Sequence, residues 1–195
     1  MSNLSDEQAG PVLSAAMTLF ARHGYQRTSM ADVAAEAGIS RATLYARFRD
    51  KAALFDGLAA ALVDRALAAA EAAWTDGAPL ADNLEATILA KDLPLYRILR
   101  ASPHGAALLA VDAELTRAHA ERLESGYRQL LARRAATLAA AGADFSAFEG
   151  ADGFADFVAV AGAGLKHEAA PEAAYLAAVR RLCRVVARAC APPRA

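Results

Sequence analysis

The sequence predicts an all-α protein, with an N-terminal three-helix domain containing a helix-turn-helix, joined by a long fourth helix to a C-terminal helical bundle. Three observations carry this. Alanine is the commonest residue, and stretches such as 66–73 are strong helix formers. Apolar residues recur at a period near 3.6, while Val, Ile and Thr are too sparse for a sheet-rich fold. Capping residues and Gly or Pro stops fall between the periodic stretches.

The first helix carries Val12, Leu13, Ala16, Met17 and Phe20 at helical spacing. Its start falls near Asp6 or near Pro11, since proline suits a first turn, and Gly24 ends it. Ser29 caps the second helix, and Asp32, three residues on, can reach back to the cap. Gly38 stops that helix, and Ser40 caps a third with Leu44, Tyr45 and Phe48 as its apolar members. Asp50 caps a long fourth helix running to about Trp74. Further helices are expected at 80–91, 94–101, 105–111, 113–141, 147–167 and 171–191, with breaks marked by Ser102-Pro103-His104, Gly142-Ala143-Asp144 and Ala170-Pro171. The domain boundary is placed at 55/56, giving 6–55 for the first domain and 56–195 for the second.

The formal net charge of −1 announces no nucleic-acid partner. Locally the picture differs: between Gly38 and Lys51, four cations (Arg41, Arg47, Arg49 and Lys51) face one acid, Asp50. Such a stripe can meet phosphates, or it can be an ordinary solvated face. Cys183 and Cys190 lie seven residues apart in a helical pattern, separated by about 10 Å. A disulfide needs Cα atoms within about 7 Å, so they cannot pair within one helix. The four histidines have no metal-ligand spacing, and no metal or cofactor is expected. No Gly-rich phosphate loop or nucleophile elbow is present. With no signal peptide and no apolar run of the roughly 18–20 residues a membrane span needs, a cytoplasmic protein is expected.

Two short helices joined by Gly38-Ile39-Ser40 carry the functional signal. Steeply crossing helices need a small residue at the contact, here Ala34. The tight turn needs positive φ, which Gly38 tolerates. Ile39 plugs the corner, and Ser40 satisfies free N–H groups at the start of the third helix. The flanks are Gly24-Tyr25-Gln26-Arg27-Thr28-Ser29-Met30 before the turn, and Thr43-Leu44-Tyr45-x-x-Phe48-x-x-Lys51-x-x-Leu54 after it. With Asp32-Val33-Ala34-x-x-Ala37-Gly38-Ile39-Ser40 between them, the stretch from Val12 to Leu58 resembles the DNA-binding domain of the TetR family of transcriptional regulators.

The resemblance implies roles at the matching positions. Arg41 reaches a base edge, Thr43 a base or phosphate, and Thr28, Tyr45 and Lys51 phosphates, with Ser40 at the DNA-facing helix start. Arg47 departs from the family, where histidine is frequent, but keeps its charge. The acidic Asp6 and Glu7 replace the basic arm of many relatives. The resemblance also implies a homodimer through the last two helices, which carry stripes of Phe154, Phe157, Val158 and Leu165, and of Leu176, Val179, Leu182, Cys183 and Val186. Packing within one chain is the alternative. It further implies a small-molecule effector pocket among the middle helices, with Trp74, Tyr96, His104, His119 and Tyr127 as candidates; each can equally be core or surface. The expected function is a ligand-responsive repressor that binds a palindromic operator as a dimer and is not an enzyme. The alternatives are a helical carrier or enzyme whose N-terminal hairpin is structural, and a redox switch working through Cys183 and Cys190.

Overall fold

The computed structural model describes residues 6–102, 104, 113–168 and 171–190. The helices are α1 (Asp6–His23), α2 (Met30–Glu36), α3 (Arg41–Arg47), α4 (Lys51–Ala73), α5 (Leu80–Ala101), α6 (Ala113–Ala140), α7 (Ala151–Glu168) and α8 (Glu172–Ala189). A single 3-10 turn, Ser146–Phe148, precedes α7. Among the described residues there is no strand. The expected helix at 105–111 lies outside the described residues.

Two boundaries differ from the sequence expectation. The helices expected at 80–91 and 94–101 are one continuous helix, α5, with Pro94 inside it. A proline in a helix interior removes one i to i−4 hydrogen bond and usually breaks or kinks the helix. Here the apolar face formed by Leu84, Ile88 and Tyr96 is buried on both sides of Pro94, and that burial outweighs the lost bond. The helix expected from residue 147 begins only at Ala151. Glu149 and Gly150 take φ of 62° and 105°, which interrupts the helical run. Gly153 lets that turn close, since a Cβ there would stand 1.9 Å from the Phe148 carbonyl oxygen.

The described residues form two compact units: those up to Asp64 with Pro94–Ala120, and Arg65–Leu93 with those from Glu121 on. The first unit is built on one core. Val12, Ala16, Leu19 and Phe20 of α1 meet Val33 and Ala34 of α2, Leu44 of α3, and Leu54, Phe55 and Leu58 of α4. Phe20, Tyr25 and Phe55 form an aromatic triangle with ring centres 5.2–6.3 Å apart. Leu44 is fully buried; truncating such a leucine to alanine typically costs about 2–5 kcal/mol. Gly57 accepts the Phe48 ring, because a Cβ there would lie 2.8 Å from it. The segment after α5 joins the same unit. The Ser102 hydroxyl donates to the Ala21 carbonyl at the end of α1, and the His104 ring packs over Gly24.

In the second unit α7 and α8 pack together, and Phe154, Val158, Tyr175, Val179, Cys183 and Val186 are buried on them. Phe145, Phe148 and Phe154 stack edge-on where the 3-10 turn meets α7. No helix among the described residues is long and apolar enough to cross a membrane.

Candidate nucleic-acid interface

The α2–α3 hairpin is set by local hydrogen bonds. The Ser29 backbone N–H donates to Asp32 Oδ2 at 2.8 Å, and the Asp32 N–H donates to Ser29 Oγ at 3.2 Å, a complete capping box. The Ser29 backbone N–H and its hydroxyl, both donating to Asp32 Oδ2, hold the Asp32 carboxyl below the usual carboxylate range. Gly38 adopts φ of 68°, and the Ile39 N–H donates to the Ala34 carbonyl. Ser40 caps α3: the Thr43 N–H donates to its Oγ at 3.0 Å, and the two hydroxyls lie 2.7 Å apart. Asp50 caps α4, accepting the Ala53 N–H at 2.7 Å. That bond chiefly, with Arg49 beside it, lowers the Asp50 carboxyl.

These caps fix which side of α3 faces out. Leu44 and Phe48 point into the core. Arg41, Ala42, Tyr45, Ala46 and Arg49 are exposed along the opposite face, with Arg47 beside them. Tyr45 is 50% exposed and is the only large apolar side chain of the described α1–α4 segment to stand out in this way. Ala42 and Ala46 add no bulk, so the helix backbone can approach a groove closely. Thr43 is half-buried, its hydroxyl turned to Ser40. Arg49 was not among the expected contacts, although it sits in the basic stripe; it is strongly exposed and pairs with its neighbour Asp50 at 3.1 Å.

Two expected phosphate contacts turn inward. Thr28 is buried, and its hydroxyl donates to the Gly24 and Leu19 carbonyls at 2.9 and 3.4 Å. Its one hydrogen is used, so it has none to give a phosphate. Lys51 directs its ammonium to the carbonyls of Tyr25, Gln26 and Thr28 at 2.8, 3.4 and 3.0 Å. An ammonium has three hydrogens, and three acceptors surround this one. Lys51 therefore clips the start of α4 to the turn that precedes α2.

The expected pocket residues do not form one group. Trp74 and Tyr127 belong to the second unit, and Tyr96, His104 and His119 to the first. The Arg134 guanidinium covers Trp74, and Arg100 covers Tyr96. His119 Nε2 lies 2.8 Å from Asp56 Oδ1. Tyr127 is fully buried against Thr87, and burial pushes its phenol far up. A groove of about 470 Å³ beside α2 is lined by His23, Arg27, Asp32 and Glu36, whose mixed signs give it no charge preference.

The expected interface stripes divide similarly. Phe154, Val158, Val179, Cys183 and Val186 are buried within the chain itself and are unavailable to a partner. Leu165, Leu176 and Leu182 are half-buried. What stands out on α7 and α8 is Phe157 at 48%, Val160 at 62% and Val185 at 64% exposure. Periodicity shows that a helix has an apolar stripe, but not which of two stripes its own chain covers. The cysteine thiols are buried, which pushes Cys183 up to about 12 and Cys190 up to about 11. Almost no thiolate forms at neutral pH, so the redox reading loses its chemical basis. Among the described residues no three His, Cys, Asp or Glu side chains come together as metal ligands would.

A capped, Gly-turned hairpin presenting an exposed Arg/Tyr face on an all-helical chain defines a helix-turn-helix protein. Residues 12–58 match the model of the bacterial regulatory proteins of the tetR family. Over 60 residues it is 43% identical to the HTH-type transcriptional repressor ComR of Escherichia coli K12. That match spans 31% of this chain and 29% of the repressor. Solved structures share the fold along nearly the whole chain. A transcriptional regulator from Rhodococcus sp. RHA1 is 20% identical, with a TM-score of 0.68, covering 95% of this chain and 99% of that one. SmeT in complex with triclosan is 18% identical, with a TM-score of 0.65, covering 94% and 91%.

Proposed function

We propose that the chain is a cytoplasmic, dimeric transcriptional repressor rather than an enzyme, binding a palindromic DNA operator and releasing it when a small molecule binds. The observation that carries this is the outward face of α3. Arg41 at its first turn suits a guanine edge, Tyr45 and Arg47 suit phosphates, and the bare Ala42 and Ala46 suit close approach or a thymine methyl. Ser40 and Thr43 lie at the helix start, where the free N–H groups and dipole favour a phosphate. A DNA-binding domain at 6–55 and an effector and dimerisation domain at 56–195 are the division we propose.

One seven-residue helix reads only a few base pairs, so a two-fold dimer is needed to build a specific site. The exposed Phe157, Val160 and Val185 supply an apolar face for it. The repressor role rests on the similarity to the repressor ComR, and effector binding on the likeness to SmeT in its complex with triclosan. The α4 helix contributes residues to both units, and Lys51 ties its first turn to the hairpin. We take α4 as the element through which effector binding moves α3. Footprinting on the DNA upstream of the protein's own gene tests the proposal. A protected two-fold site is expected, and no protection on any fragment would contradict it.

A further inference from the structure

The exposed faces of α7 and α8 carry charges of opposite sign beside their apolar residues. On α8, Arg181, Arg184 and Arg188 follow i, i+3 and i+7 spacing and are exposed, opposite the buried row of Tyr175, Val179, Cys183 and Val186. The exposed Val185 stands among them. On α7, Asp152 and Asp156 are exposed beside Phe157 and Val160. α7 ends at Glu168 and α8 begins at Glu172, and the two pack together as an antiparallel pair. Asp156 lies 12 residues before the end of α7, and Arg184 lies 12 residues after the start of α8. Asp152 and Arg188 lie 16 residues from the same two ends. Each acid therefore stands at the height of one arginine, about 18 and about 24 Å from the connection. Within the chain, Asp156 Oδ1 lies 3.1 Å from Arg128 Nε, and its side chain is still 68% exposed.

We infer that these charges select the partner: a second copy of this chain docks so that Asp152 and Asp156 meet the partner's Arg188 and the partner's Arg184. This selection rests on the dimeric reading above and adds what sets its register. A two-fold interface brings the same patch of both copies together. Contact of α8 with its own copy would set two arginine rows against each other, and contact of α7 with its own copy would set acid against acid. Like charges brought together disfavour both arrangements. Contact of α7 with the other protomer's α8 sets acid against base, twice over by symmetry. A two-fold axis running along the α7–α8 hairpin leaves every height unchanged, so the acids and arginines meet in register. The same contact covers Phe157, Val160 and Val185. Exposed ion pairs add little net stability, so the apolar residues supply affinity while the charges choose partner and register, as in paired helices with charged flanks. A polyanion would suit the arginines alone; Asp152 and Asp156 beside them would repel it, and the apolar residues would stay bare.

The test uses the purified full chain without DNA. Arg184→Asp with Arg188→Asp makes both helix faces acidic, and Asp152→Arg with Asp156→Arg makes both basic. All four positions are exposed, so both proteins should keep the wild-type helical circular dichroism. In sedimentation, each alone should dissociate about tenfold or more readily than the wild type, because every cross-protomer pair is now like-charged. An equimolar mixture of the two should assemble about as tightly as the wild type, since opposite faces meet again. The wild-type dimer should weaken about threefold or more between about 0.05 and about 0.5 M salt. Variants that dimerise like the wild type overturn the inference, and so does a mixture that stays dissociated. If Asp152→Arg with Asp156→Arg misfolds, the other variant and the salt titration decide: an unweakened acidic variant, or a wild-type dimer indifferent to salt, overturns the inference. A monomeric wild type overturns the dimeric reading and the inference together, whereas a wild-type dimer that tolerates charge reversal overturns the inference alone.

Discussion

The Lys51 ammonium lies 2.8 Å from the backbone carbonyl oxygen of Tyr25 and 4.4 Å from the centre of its ring. One side chain at the start of α4 thus holds both the main chain and the aromatic ring of the turn that delivers α2. The same ring packs against Phe20 and Phe55, so the clip continues into the core under α1 and α4. Any displacement of the start of α4 acts directly on the base of the hairpin.

Lys51→Met should therefore act on stability. Hydrogen bonds from a charged donor are typically worth about 1.5–3 kcal/mol, and a loss of that order is expected in chemical denaturation. The slope of log affinity against log salt should stay close to the wild-type value, because the ammonium's hydrogens are spent inside the protein. A slope lowered by about one, with unchanged stability, would mark Lys51 as a phosphate contact instead.

The two carboxylates that cap α2 and α4 give the DNA-binding unit an acid sensitivity of known sign. Asp32 and Asp50 are both held below their ordinary value in the folded protein. A depressed carboxylate contributes stability that is complete above its unfolded pKa of about 4 and is lost as pH falls through the folded value. The thermal midpoint should be flat between about pH 5 and 7 on this account and fall below about pH 4. Asp32→Asn should flatten that fall while lowering the midpoint at neutral pH. A wild-type midpoint that rises on acidification would show the sign to be wrong.

Charges placed on α7 and α8 should separate assembly from folding. Val185→Asp and Val160→Glu alter exposed positions, and both should give folded monomers with full helical circular dichroism. Val179→Asp and Val186→Asp place a charge in the chain's own core, where it is expensive to bury. Those two should unfold or aggregate. Sedimentation equilibrium paired with circular dichroism distinguishes the outcomes. A dimeric Val185→Asp would remove this face from the interface.

The reading of the hairpin from the sequence succeeded because its geometry is enforced locally. Gly38 alone tolerates the turn's positive φ, and Ser29, Asp32 and Ser40 form their caps within three residues. Where side chains point depends on partners distant in sequence, and there the pattern was insufficient. Lys51 was expected at a phosphate, because the three acceptors that hold it lie 23 to 26 residues earlier. The pattern placed a helix end at Lys91 and a new start at Pro94, so Lys91 and Asp92 fell at a break. Once α5 runs through Pro94 they become interior residues, and their ion pair is buried. The apolar stripes of the last two helices were visible as periodicity, yet periodicity is blind to which stripe is covered.

The central claim is that the exposed face of α3 reads DNA sequence, with Arg41 at a base edge. The most direct measurement is fluorescence anisotropy of wild type and Arg41→Ala on the footprinted duplex and on a scrambled duplex, across a range of salt concentrations. The wild type should prefer the footprinted duplex by about 10³-fold or more, with affinity falling steeply as salt rises. Arg41→Ala should lose about 1–3 kcal/mol on that duplex and little on the scrambled one. Equal affinity of the wild type for both duplexes, or an Arg41→Ala protein with undiminished preference, would contradict the account.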